Sequence, residues 1–198
     1  MEFFLHSPHG HRIDARKVED RNQDSIVMQG VFVSGGVETK VMFGGDTRWE
    51  AMEDIVSICK YHGNAARLEY DLFKLPHHCS YLSLSDAKRA TKTEPKPLIK
   101  EWFEMARKKA IVISTSNRIV MTDQSQPPHL QPKNYHVENI AKANGQFKVT
   151  MEEPTIGRPK PLVVNITGFG LAFDTVAAVA GSSAATIQRP PRAASEAS

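Results

Sequence analysis

Ser25-Ile26-Val27-Met28-Gln29-Gly30-Val31-Phe32-Val33, then Ser34-Gly35-Gly36, then Val37-Glu38-Thr39-Lys40-Val41-Met42-Phe43, is the stretch on which the fold turns. Two runs rich in β-branched and aromatic residues flank a short Ser-Gly-Gly segment, the pattern of an antiparallel hairpin. Gly44-Gly45-Asp46-Thr47 closes the second run. Thr47-Arg48-Trp49-Glu50 then has the form of a capping box, in which a hydroxyl and a carboxylate satisfy the first amides of a helix. A helix follows over 48–61, with Trp49, Met52, Val56 and Cys59 spaced to share one face.

Downstream, 68–75 reads as a strand running into Pro76-His77-His78-Cys79-Ser80, where proline ends regular pairing. The spacing predicts an amphipathic helix over 98–108 through Leu98, Trp102 and Met105, and a buried strand over 110–114. An irregular stretch over 116–132 precedes a helix over 133–144 with Val137, Ile140 and Ala141 inward. Strands are expected at 146–151 and 162–169, and the apolar piece 171–180 reads as a docking strand or helix. Upstream, Phe3 to Leu5 suits a short strand and 6–24 a long polar loop. Strands interleaved with helices indicate an α/β layered domain. From residue 175 the composition turns to Ala, Ser, Pro and Arg, so 1–174 is expected to be structured and 175–198 a disordered tail.

The chain has 198 residues, 40% hydrophobic and 24% charged, which suits one globular domain and excludes collagen-like, coiled-coil and wholly disordered classes. No apolar stretch approaches the roughly 18 residues of a membrane span. Met1-Glu2-Phe3-Phe4-Leu5-His6 lacks the basic start of an export signal, so the expectation is a soluble cytoplasmic protein with no membrane partner. Cys59 and Cys79 cannot build a disulfide framework, and reduced thiols are expected. The 25 basic residues are nearly balanced by 22 acidic ones, which permits a nucleic-acid partner without arguing for one. The run Lys88, Arg89, Lys92, Lys96 and Lys100 could track a polyanion, or be a solvated face. The eight histidines fall mainly into three groups, His6/His9/His11, His62/His77/His78 and His129/His136, which raises a metal or phosphate site.

Asp46 follows a strand and precedes a helix, the position where open α/β sheets gather functional groups. Its plainer role would be a carboxylate at a helix start. Adjacent histidines such as His77 and His78 point different ways, so at most one of them serves a given ion. Four segments taken together sharpen this: Asn22-Gln23-Asp24-Ser25, Val41-Met42-Phe43-Gly44-Gly45-Asp46, Lys74-Leu75-Pro76-His77-His78-Cys79-Ser80 and Ala110-Ile111-Val112-Ile113-Ser114. In this order, over roughly residues 20 to 130, they resemble the second half of the metallo-β-lactamase superfamily. The likeness is nearest to the branch related to the hydrolase domain of the competence protein ComEC.

The resemblance implies half of an αββα sandwich, a mixed sheet with flanking helices. It also implies a dinuclear hydrolase, usually of zinc with manganese as a second choice, in which metal-bound hydroxide attacks a phosphodiester or related ester. Asp46 matches the bridging carboxylate, and His77 or His78 the histidine of the second metal, His77 being favoured as the first residue after strand and proline. Ser80 matches a substrate-side position, and His129, in a Pro127-Pro128-His129 order reversed from that of the branch, either contacts a substrate phosphate or is a solvent-exposed loop histidine; Ser114, Ser116 and Asn117 could add polar contacts there. Cys79 stands where the branch has glycine, as a packed residue or a soft ligand.

The superfamily's His-x-His-x-Asp-His motif occurs nowhere in these 198 residues. One aspartate and one histidine fall short of the three protein ligands that catalytic zinc generally needs. His6, His9 or His11 could add one. The chain alone is therefore expected to be an incomplete, inactive hydrolase. It would be completed by a second chain carrying the missing half, or pair as a homodimer, through a sheet face expected to be bare and apolar. The alternative is a non-catalytic binding or regulatory module that retains the fold.

Overall fold

A computed structural model describes residues 1–8, 22 and 24–173. The expected hairpin forms from β2 (Val27–Ser34) and β3 (Val37–Phe43), joined through Gly35 and Gly36. Both turn residues have positive φ, 56° and 80°, as a twist-matched two-residue hairpin turn requires. β1 (Glu2–Ser7) pairs antiparallel with β2. On the other side β4 (Tyr70–Lys74), β5 (Ala106–Ser114) and β6 (Gln146–Val149) continue from β3 in parallel. The result is a six-stranded mixed sheet in the order β1-β2-β3-β4-β5-β6. The carboxyl ends of β3, β4, β5 and β6 all lie along one edge, where an open parallel sheet places its sites.

Three helices, α1 (Trp49–Tyr61), α2 (Pro97–Glu104) and α3 (Leu130–Lys142), share one core with one face of this sheet. Met52, Ile55, Val56 and Cys59 from α1, Ile99, Trp102 and Phe103 from α2, and Tyr135 and Ile140 from α3 meet Met42, Phe73 and Val112 of the strands. Because side chains alternate along a strand, Val41, Leu72, Ile111 and Ile113 face the opposite way. They are not bare. A second, two-stranded sheet of β7 (Val164–Thr167) and β8 (Gly170–Phe173) lies over them, with Leu162, Val164, Ile166, Leu171 and Phe173 packed against the strand residues. The bare apolar face expected from the sequence is thus corrected: the chain covers it with its own hairpin. Phe3, Leu5 and Ile26 remain more than half exposed beside it.

Other expectations shift in detail. Thr47 does not cap α1: the N-cap is Arg48, without a side-chain bond, and the Thr47 hydroxyl donates back to the Gly44 carbonyl. The helix expected over 98–108 stops at Glu104, and β5 begins at Ala106, earlier than expected. In α3, Val137 and Ala141 face outward, while Tyr135, His136, Asn139 and Ile140 are buried. That rotation is set by α2: the His136 ring stands edge-on to Phe103 at 4.7 Å, and Asn139 Nδ2 donates to the Phe103 carbonyl at 2.8 Å. A polar residue facing a core is stable there because its hydrogen bond is made. The apolar piece 171–180 is β8 as far as Phe173; its remainder and the tail 175–198 lie outside the described residues. Among the described residues no helix is long and apolar enough to cross a membrane.

Candidate metal half-site

Asp46 is placed by Gly45 before it and by Ser25. Gly45 has φ +57°, and a Cβ there would stand 2.7 Å from the Ile26 carbonyl oxygen, so only glycine fits. The Gly45 carbonyl accepts from the His77 backbone N–H at 3.1 Å and from Lys74 Nζ at 3.2 Å. Asp46 N–H donates to Ser25 Oγ at 3.2 Å, and Ser7 Oγ donates to the Ser25 carbonyl at 2.7 Å. Residues at the ends of β1 and β4, before β2 and after β3 therefore contribute to the seat of one carboxylate.

After β4, Pro76 opens a tight turn in which His77, His78 and Cys79 have φ of 45°, 53° and 64°. Three successive non-glycine residues in the left-handed region are uncommon, and each costs conformational energy. The turn brings His78 beside Asp46: His78 Nε2 lies 3.6 Å from Asp46 Oδ1, too far for a direct hydrogen bond. On its other side His78 Nδ1 lies 2.7 Å from the Thr115 carbonyl oxygen. A carbonyl only accepts, so Nδ1 carries a proton, and Nε2 is turned toward Asp46. Second-sphere carbonyls of this kind orient histidine rings.

The remaining expected residues have other employment. Ser80 is buried, and its hydroxyl accepts from Leu82 N–H, capping the short turn Tyr81–Ser83. Ser114 is buried with its hydroxyl 2.7 Å from that of Ser116. His129 is 2% exposed, stands edge-on to the Tyr81 ring at 5.1 Å, and among the described residues neither ring nitrogen makes a hydrogen bond of good geometry, the Ser125 backbone being a polar influence on the ring. Burial, aided by the Lys88 charge, holds its pKa below the usual histidine value. Cys79 is packed out of contact with solvent, and burial pushes its thiol pKa up, the opposite of what a thiolate ligand needs. Cys59 and Cys79 are both free. His6 is tied to Cys59 Sγ and to the Arg67 carbonyl, while His9 and His11 lie outside the described residues. The basic run is largely paired: Lys88 with Asp123, Lys92 with Glu138, Lys96 with Asp86 and Lys100 with Glu104.

Beside His78 opens a cleft of about 450 Å³, lined by Thr115, Ser116, Asn117, Pro127, Pro128, Thr150 and Met151, with no side chain of fixed charge. Thr115, Thr150 and Met151 had no signal in the sequence. Lys74 was visible as a motif residue, but its contact with Gly45 was not.

The donor set does not complete a metal site. Asp46 and His78 offer two donor side chains, and among the described residues no group of three or more His, Cys, Asp or Glu is placed to hold an ion. Compared with protein-family models, curated proteins and solved structures, the chain matches none.

Proposed function

We propose that this chain carries one half-site of a metal-dependent hydrolase of phosphodiesters or related esters, silent by itself. The observation that carries this reading is the approach of Asp46 Oδ1 and His78 Nε2 to 3.6 Å at the carboxyl ends of β3 and β4. The His78 ring is held through Thr115, with Nε2 turned toward Asp46. The second sheet laid over the far face supports kinship with a sandwich of two sheets. With two ligands in place the chain has no hydrolytic step of its own. The missing ligands come from beyond the described residues, from a second chain carrying the absent motif.

Zinc or manganese added to the 198-residue protein is expected to bind weakly, perturbing the His78 ring and the Asp46 amide in NMR spectra. Asp46→Ala and His78→Ala each abolish that perturbation, and bis-(p-nitrophenyl) phosphate is not turned over. Stoichiometric zinc retained through dialysis, or hydrolysis by the chain alone, would overturn the half-site; shifts that survive both substitutions would overturn the metal.

A second reading, a non-catalytic binding module, is favoured by the uncharged cleft beside His78, which needs no ion to exist. Binding of a neutral ligand there, with no response to zinc, would establish it.

A further inference from the structure

His6, near the end of β1, and Cys59, in the last turn of α1, face each other with His6 Nδ1 3.4 Å from Cys59 Sγ. On its other side His6 Nε2 lies 3.1 Å from the Arg67 carbonyl oxygen. A carbonyl only accepts, so Nε2 carries a proton, and in its neutral form the ring offers Nδ1 to the thiol. Burial raises the Cys59 pKa, so the sulfur holds its own proton at rest. A nucleophile within reach of a base that a third group orients is the arrangement used in covalent catalysis. Both side chains are nearly buried, and both line a cleft of about 250 Å³ between β1 and α1. Its walls are Phe4, Leu5, Ile55 and Ile58, and among the described residues none of fixed charge lines it. Asn64 lines it too, and its side chain does not cap the short helix Ala65–Leu68 that follows, so its amide can serve a carbonyl oxygen in the cleft.

We propose that Cys59 and His6 form an acyl-transfer site, in which Cys59 accepts an acyl group from the thioester of an aliphatic acid and the cleft holds the chain. The site uses neither Asp46 nor His78 and needs no ion. Cys59 Sγ attacks the thioester carbonyl carbon as its proton passes to His6 Nδ1. The bond from that carbon to the leaving sulfur then breaks, and the departing thiolate takes the proton from His6. One acyl group moves, one thiol is consumed and one is released, with no oxidant or reductant. The Arg67 carbonyl steadies the ring while it is charged, because a hydrogen bond from a cationic donor is the stronger kind. A thioester is the matching donor, since sulfur replaces sulfur. The apolar walls select an aliphatic chain, and the cleft is several times the roughly 30 Å³ share of a water molecule, room for a short one.

The octanoyl and acetyl thioesters of N-acetylcysteamine, offered to the full chain, test this, with adducts located by peptide mass spectrometry. Cys79 is the internal control: it is equally free, packed away from solvent, and does not line the cleft. One octanoyl group is expected on Cys59 and none on Cys79, formed about tenfold faster than the acetyl adduct. Native Cys59 should also react faster than Cys59 of the urea-unfolded chain, although burial alone would slow it. His6→Gln still donates to the Arg67 carbonyl but takes up no proton, and should slow transfer about a hundredfold. Ile58 is 42% exposed, so Ile58→Trp is accommodated; it fills the cleft and should abolish the octanoyl preference while acetyl transfer continues.

No adduct on the native chain, or adducts on Cys59 and Cys79 alike, overturns the site. Native Cys59 reacting more slowly than in the unfolded chain, or a folded His6→Gln reacting as fast as wild type, overturns His6 as the base; the first comparison decides even where His6→Gln fails to fold. Equal octanoyl and acetyl rates, or an octanoyl preference that survives Ile58→Trp, overturns the cleft as the seat of the chain.

Discussion

The two faces of the six-stranded sheet are held in different ways. On one, three helices bury a continuous core in which Trp102, Tyr70, Phe73 and Phe103 are almost wholly shielded, with ring contacts of 5.0 to 5.5 Å linking Phe73 to the other three. On the other, four strand residues are covered by a single hairpin, and apolar side chains at the β1 side stay in water. The helix face carries the stability of the fold. The hairpin face is a thin second layer, good for shielding a strip of the sheet and little more.

Trp102→Ala tests the first half of that contrast. The indole is fully buried and its Nε1 donates to the Leu68 carbonyl at 3.0 Å. Urea unfolding should show a loss of about 4 kcal/mol, and a loss under 2 would mean the core is looser than its packing indicates. Ile113→Ala, beneath the hairpin, should lose about 2 kcal/mol, because its cover is thin enough to settle into the gap. Equal losses at the two sites would erase the distinction between the faces.

Acid sharpens the comparison from the helix side. His136 is buried among Phe103, Tyr135 and Phe147, and burial pushes its pKa down to about 3. The unfolded chain takes up the proton near pH 6.5 while the folded one refuses it, so this contribution is intact above that pH. It falls by up to about 1.4 kcal/mol per unit between pH 6.5 and 3. His136→Phe, which keeps a ring among rings, should flatten that part of the stability profile measured by urea titration at successive pH. An unchanged slope would assign the acid sensitivity elsewhere. Smallest of all, Phe3→Ser on the open side should shift stability by less than about 0.5 kcal/mol, checked by thermal melting.

What was legible in the sequence was whatever is decided locally. The hairpin was readable because its two-residue turn and the alternation on either side agree. The order strand, proline, histidine pair was readable because proline cannot continue a ladder. Decisions made by distant residues were not. The inward face of α3 followed Phe103 rather than its own apolar pattern, and Thr47 turned back to Gly44 because β4 and its turn had already shaped that corner. The approach of His78 to Asp46 was not legible either, because it depends on a left-handed run at His77, His78 and Cys79 that no local pattern announces. The cover over the far face was hidden for the same reason: nothing in 162–173 announces where in the sheet it will land.

The left-handed run at His77, His78 and Cys79 also bears on how this protein can drift. In most surface loops glycine is among the costlier replacements and branched residues are harmless. Here the ranking inverts, because valine, isoleucine and threonine fit that backbone worst while glycine, asparagine and aspartate fit it best. The segment therefore advances through a narrow alphabet of small and polar residues, and a histidine lost from it is more readily replaced by asparagine or glycine than by any aliphatic residue.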